Sequence, residues 1–170
     1  MVKLALLSCF LLAVLYTDLR SRRIPNKLCA AAFLAAIVYQ GTVSSFAGLG
    51  EAAAGALAGG GLMVILYAAG ATGGGDVKLF TAAGAWIGAA AAAKAVLIAV
   101  LISGAVAVIY FGWKGNLGSY FREIYRFLLC SAALRDPSIV LRDAALQKSR
   151  FPFAVAAVPA IYAALHFPFR

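Results

Sequence analysis

The chain has 170 residues, of which 64% are hydrophobic and 12% charged, with a formal net charge of +9. At a mean hydropathy of +0.94 it carries more apolar surface than one soluble core of this length hides, which excludes a soluble globular domain and implies an integral membrane protein. The basic excess is gathered beside apolar segments and forms no stripe interleaved with aromatics on a polar domain, so nucleic acid is not the indicated partner and the lipid bilayer is.

Apolar runs of bilayer-spanning length fall at about 2–17, 28–46, 52–70, 79–93, 95–112 and 151–167. The expected fold is therefore all-α, a polytopic membrane protein of about six transmembrane helices in a single domain over 1–170. In the first run the positive charges follow the apolar stretch, so it reads as a retained anchor and not as a cleaved signal peptide. The run ends at Asp18, and the following Leu19-Arg20-Ser21-Arg22-Arg23-Ile24-Pro25-Asn26 turns the chain, because Pro25 forbids one helix continuing from the first span into the second. The second run exits to a neutral loop around Gln40 to Gly50.

The third run carries Gly55-x-x-x-Gly59 and the fourth Gly84-x-x-x-Gly88, small faces that let helix backbones approach closely in lipid. Between them Gly70-Ala71-Thr72-Gly73-Gly74-Gly75-Asp76-Val77-Lys78 is too rich in glycine for a helix interior, and it is expected to form a tight or re-entrant loop that walls a cavity. Only Lys94 divides the fourth run from the fifth. The polar stretch 113–150 places Leu117, Tyr120, Phe121, Ile124 and Leu128 at helical spacing, which predicts an amphipathic helix on the membrane surface. Asp136-Pro137 caps a second short helix there.

Basic residues set the orientation. Arg20, Arg22, Arg23, Lys27 and Lys78 join seven more in 113–150, against Lys3, Lys94 and Arg170 elsewhere. The segments 18–27, 70–78 and 113–150 are thus expected in the cytoplasm, and the N-terminus outside. Cys9, Cys29 and Cys130 have no C-x-x-C spacing and indicate neither a zinc site nor a disulfide framework. His166 has no second ligand at metal-binding spacing and reads as interfacial, while Trp86 and Trp113 pack in the membrane or anchor at its edge.

Of six acidic residues, Glu123, Asp136 and Asp143 lie in the polar stretch and Glu51 at the opposite face. Asp18 and Asp76 alone stand at helix ends on the basic side. Brought together, two such carboxyls share a proton, one activating water and the other protonating the leaving group. The helix dipole opposes an anion at Asp18 and favours one at Asp76, which suggests Asp76 as base and Asp18 as acid. Caps, ion pairs with Arg20 or Lys78, and ion-transport ligands remain open as roles for the same two residues.

The stretch from Asp18 through Ile24-Pro25-Asn26, a D-x5-I-P-N pattern, followed by Gly73-Gly74-Gly75-Asp76-Val77-Lys78-Leu79, resembles the type IV prepilin peptidases, the bacterial G-x-G-D membrane aspartic proteases. Phe151-Pro152-Phe153-Ala154 opening the last run is similar to the family's pattern too. The resemblance implies Asp18 and Asp76 as the catalytic pair and Gly73 and Gly75 as the loop glycines, with no metal and no organic cofactor; Lys78, by its own position, reads first as a positive-inside charge and second, two residues from Asp76, as a residue that shapes the loop or meets a substrate carboxylate. It implies cleavage of a short, positively charged leader from a prepilin or pseudopilin on the cytoplasmic side of the inner membrane. Longer members carry paired C-x-x-C motifs between the first spans and also N-methylate the product. Here only Leu19 to Lys27 stands at that place, as in the short peptidase-only members of Flp-type, tight-adherence pilus systems, so no methyltransferase or zinc-binding region is expected. The archaeal preflagellin peptidases share the same pair of acids. A small ion or proton transporter is the competing class, and a non-enzymatic assembly subunit a third.

Overall fold

The structure, a computed structural model, describes residues 2–21, 24–69, 71–113 and 154–166. The amphipathic segment expected beyond Trp113, and Phe151 to Phe153, lie outside the described residues, as do Arg22, Arg23 and Gly70. Helix α1 spans Val2–Ser21, α2 Asn26–Ala68, α3 Gly74–Ile87, α4 Ala89–Trp113 and α5 Ala154–His166, with no strand among the described residues.

On α1, Leu7, Leu11 and Val14 are buried while Val2, Leu12 and Tyr16 are exposed. A helix with large apolar side chains on both faces suits a position between a protein core and lipid. The helix runs about a turn beyond the end expected near residue 17, so Asp18 lies inside its last turn and continues the buried stripe of Leu7, Leu11 and Val14.

The loop expected between Gln40 and Gly50 is replaced by a reversal at one residue, Ser45, with φ 51° and ψ −137°. The contacts on either side establish the turn. Before it, Asn26 meets Lys78 and Ala32 meets Trp86, so this arm of α2 runs parallel to α3. After it, Gly55 meets Gly84 and Gly59 meets Phe80, so the second arm runs antiparallel to α3. The two arms are therefore antiparallel to each other. Gly48 lies against the backbone carbonyl of Gln40, so closely that a Cβ at Gly48 would collide with it. That approach removes the need for a longer connection, at the cost of a positive φ at serine. The arms, 26–44 and 46–68, are about 28 and 35 Å long at 1.5 Å per residue, comparable with a hydrocarbon core of about 30 Å.

The break between α3 and α4 falls at Gly88, not beside Lys94. Gly88 has φ 86° and ψ 168°, an extended conformation at positive φ open essentially to glycine alone, and donates its N–H to the Gly84 carbonyl at 2.9 Å. Lys94 stays within α4; a lysine's aliphatic stem lies along apolar surface while its ammonium reaches outward. Helix α3 is about 21 Å long and is held by both arms of α2. Trp86 near its C-terminus is buried, donates Nε1–H to the Ala32 carbonyl at 2.9 Å and lies 5.7 Å from the Tyr39 ring; it is a core residue and not an edge anchor. Helix α5 contacts α4 and α1, the latter through a Tyr162 hydroxyl to Ser8 hydroxyl bond of 2.6 Å. Among these helices α1, α2 and α4 are long and apolar enough to cross a membrane.

Candidate active site

The acids divide by burial. Glu51 is exposed, whereas Asp18 and Asp76 retain 8% and 9% of their accessible surface and are the buried charged residues among those described. A carboxylate withdrawn from water is costly unless the chain compensates it, and neither acid is isolated within the fold. Their helical register places them there. Asp18 ends the inward stripe of α1, and Asp76 begins the inward stripe of α3 that continues through Leu79, Phe80 and Ala83.

The glycine run is shorter as a loop than its composition suggests. Helix α3 begins at Gly74, so Gly74, Gly75, Asp76 and Lys78 are helical and the connection is confined to residues between Ala69 and Gly73. Glycine's cost in a helix is backbone entropy, and the first-turn N–H groups, which have no intrahelical acceptor, need another partner. Asp76 supplies one such partner: its Oδ2 accepts the Gly73 N–H at 3.0 Å, while the Asp76 N–H donates to the Gly73 carbonyl at 3.0 Å. Its carboxylate therefore sits at the positive end of a helix, where negative charge is favoured. Asp18 stands at the opposite pole of its own helix, and Arg20, two residues on, donates to the Tyr16 hydroxyl at 2.8 Å.

Two contacts bring the D-x5-I-P-N stretch to the glycine run. A Cβ placed on Gly75 would lie 3.5 to 3.6 Å from three atoms of the Ile24 side chain, and Lys78 Nζ donates to Asn26 Oδ1 at 2.7 Å. The C-terminal end of α1 and the N-terminal end of α3 are thus at the same end of the bundle, with Asp18 and Asp76 on them. Arg20, Lys27 and Lys78 share that end as well.

Sequence reasoning named Asn26 only as part of a motif and missed its bond to Lys78; the signal available was a polar residue directly after a helix-starting proline. It also passed over Thr72, whose hydroxyl is buried without a hydrogen-bond partner among the described residues, just ahead of Gly73. His166 is exposed, its Nδ1 3.1 Å from the Tyr162 carbonyl. Among the described residues no three His, Cys, Asp or Glu side chains gather into a group able to hold a metal ion.

No curated protein and no solved structure matches the chain. A family profile, that of the type IV leader peptidases, matches residues 5–111. That span holds both buried aspartates, the Ile24-Pro25-Asn26 turn and the glycine run, and the chain belongs to the type IV leader peptidase family.

Proposed function

We propose that the protein is an aspartic endopeptidase that removes the positively charged leader of a Flp-type prepilin or pseudopilin at the cytoplasmic face of the inner membrane, with Asp18 and Asp76 as its catalytic pair. The observation that carries this reading is the burial of these two acids at one end of the bundle in a member of a leader peptidase family. In the proposed reaction the Asp76 carboxylate takes a proton from water as the water oxygen adds to the scissile carbonyl carbon. Asp18, protonated, gives its proton toward the departing amine as the C–N bond breaks. The Gly73 N–H and the helix N-terminus support the anionic member of such a pair. Gly73 and Gly75 leave the first turn of α3 bare, so an extended substrate backbone can approach Asp76.

In this reading α1, the two arms of α2, α3, α4 and α5 make the six membrane segments, with the N-terminus periplasmic and the Ile24 and Gly73 end cytoplasmic by the charge rule. The leader's positive charge suits a site built on two carboxyls. With only a short turn between α1 and α2, the reaction stops at cleavage, without N-methylation and without a cofactor.

The test is processing of a co-expressed Flp-type prepilin by the wild type, Asp18→Asn and Asp76→Asn, with membrane abundance followed in parallel. Each substitution is expected to lower cleavage on the order of 10²- to 10⁴-fold at unchanged abundance. Processing retained in either variant removes that aspartate from the chemistry and returns an ion-transport role. Cleavage by the solubilised wild type is expected to be bell-shaped in pH, since acid and base must each hold one protonation state; a flat profile through the acid range would sink the shared-proton account.

A further inference from the structure

The bond between Asn26 and Lys78 joins residues 52 apart in sequence and lies beside the proposed catalytic acid. Asn26 is the first residue of α2, and its backbone is fixed by the turn around it: Pro25 holds φ −64°, and its carbonyl accepts the N–H groups of Leu28 at 3.1 Å and Cys29 at 3.4 Å. Lys78 and Gly75 are three apart on α3 and so lie on one helical face. Asn26 covers the first of these and Ile24 the second, one through a 2.7 Å hydrogen bond and the other through apolar contact. Asp76 lies between them in the chain. The segment Ile24-Pro25-Asn26 is therefore laid along the turn of α3 that carries Asp76, and the same segment follows, six residues on, from Asp18.

We propose that Asn26 and Lys78 form a clasp that sets the first turn of α3 against the end of α1, making both of them positioning residues for cleavage; the proposal rests on the peptidase reading above. Three properties of the pair support a positioning role over a purely structural one. The bond is exposed, so water replaces it readily when it is removed, and the bundle keeps its large buried contacts between α2 and α3. Its ends sit on the two elements that carry the two acids or lead directly from them. An asparagine oxygen and a lysine ammonium also make a directional contact, which the Ile24 contact beside it does not supply. A shift of about 1 Å between catalytic groups is enough to cost on the order of 100-fold in rate.

The test uses the solubilised full chain and a purified Flp-type prepilin. Asn26→Ala, Lys78→Met and the double variant are each expected to lower kcat about 10- to 100-fold, with KM held and with the double variant no worse than the more impaired single one. Asn26→Asp keeps an acceptor for Lys78 and is expected to restore most of the rate. Separately, Asn26→Cys with Lys78→Cys is expected to be cross-linked in membranes by a short bis-thiol-reactive linker that spans the length of the lost lysine side chain, which reports the geometry without any activity. A Lys78→Met loss that falls on KM, or that adds fully to that of Asn26→Ala, would show Lys78 acting on substrate directly and overturn the clasp. So would an Asn26→Ala variant with wild-type kcat. A wild type that cleaves no prepilin while the cysteine pair cross-links would instead bring down the peptidase reading, and the positioning role with it.

Discussion

Glycine serves two opposite ends in this chain, at the α2–α3 interface and at the entrance to α3. At the interface, Gly55 and Gly84 bring their backbones so close that a Cβ on either would collide with the other's carbonyl oxygen, and a Cβ on Gly59 would lie 2.5 Å from the Phe80 carbonyl. At the entrance, a Cβ on Gly75 meets only Ile24 side-chain atoms at ordinary contact distance, and one on Gly73 comes no nearer than 3.4 Å to Asp76 Oδ2. The first group is glycine because the folded protein has no room. The second has room in the folded protein, so packing does not require glycine there, and in the proposed reaction the bare surface serves an approaching peptide.

The sharpest way to break this contrast is at the interface. Gly55→Ala and Gly84→Ala force one helix away from the other, an overpacking cost of about 1–3 kcal/mol, and with leucine the arm of α2 should fail to seat. Lower membrane abundance and a lower melting temperature in detergent are expected for both alanine variants. Variants that accumulate and melt like the wild type would mean that the close Gly55–Gly84 approach is not what holds α3 in place.

At the entrance the expected signs separate. Gly75→Ala should leave stability unchanged or raise it by up to about 1 kcal/mol through helix propensity, while cleavage of a prepilin falls on the order of tenfold if the bare surface admits substrate. Gly73→Ala should lower cleavage similarly, but Gly73 is the N-cap of α3 in extended conformation, so alanine there gains nothing from helix propensity, weakens the cap and disturbs the Asp76 carboxylate beside it. Loss of melting temperature in step with loss of cleavage would merge the two glycine groups into one and remove the substrate argument.

What was legible in the sequence follows the same division. The helical class, the Gly55-x-x-x-Gly59 contact and the singling out of Asp18 and Asp76, both buried, from the other acids are visible because each depends on local composition or on a residue type too costly to bury without reason. The helix boundaries were read less well. Gly74 and Gly75 look like a loop but are helical, in a first turn that the Asp76 carboxylate caps through the Gly73 N–H. Gly88 packs its Cα near Gly55 as the small-residue motif predicts, but it also ends α3 with a positive φ, and the charge at Lys94, the more visible interruption, ends nothing. The turn at Ser45 gave no signal, since serine there has neither the freedom of glycine nor the fixed φ of proline. It forms because Gly48 lets the two arms touch beside it, a contact between residues whose meeting no local pattern announces. The Asn26–Lys78 bond escaped for the same reason.

The finest grading is expected in the run Gly59-Gly60-Gly61, which ends on the smallest effect and where three identical residues present three different surroundings within one turn. Gly59 faces a backbone carbonyl, Gly60 faces the Thr81 hydroxyl, and a Cβ on Gly61 would meet nothing within 4 Å among the described residues. Gly61→Ala should therefore stabilise, by up to about 1 kcal/mol from propensity alone. Gly60→Ala must displace the Thr81 hydroxyl from its 2.7 Å bond to the Val77 carbonyl, and is expected to lose that gain and about 1 kcal/mol more. Gly59→Ala has only backbone to push against and should fall lowest of the three. Melting the three variants side by side keeps composition, depth and helix constant, so the order of their midpoints reads the local gap alone. An order in which Gly61→Ala is not the most stable would show that this face of α2 is covered by something other than lipid.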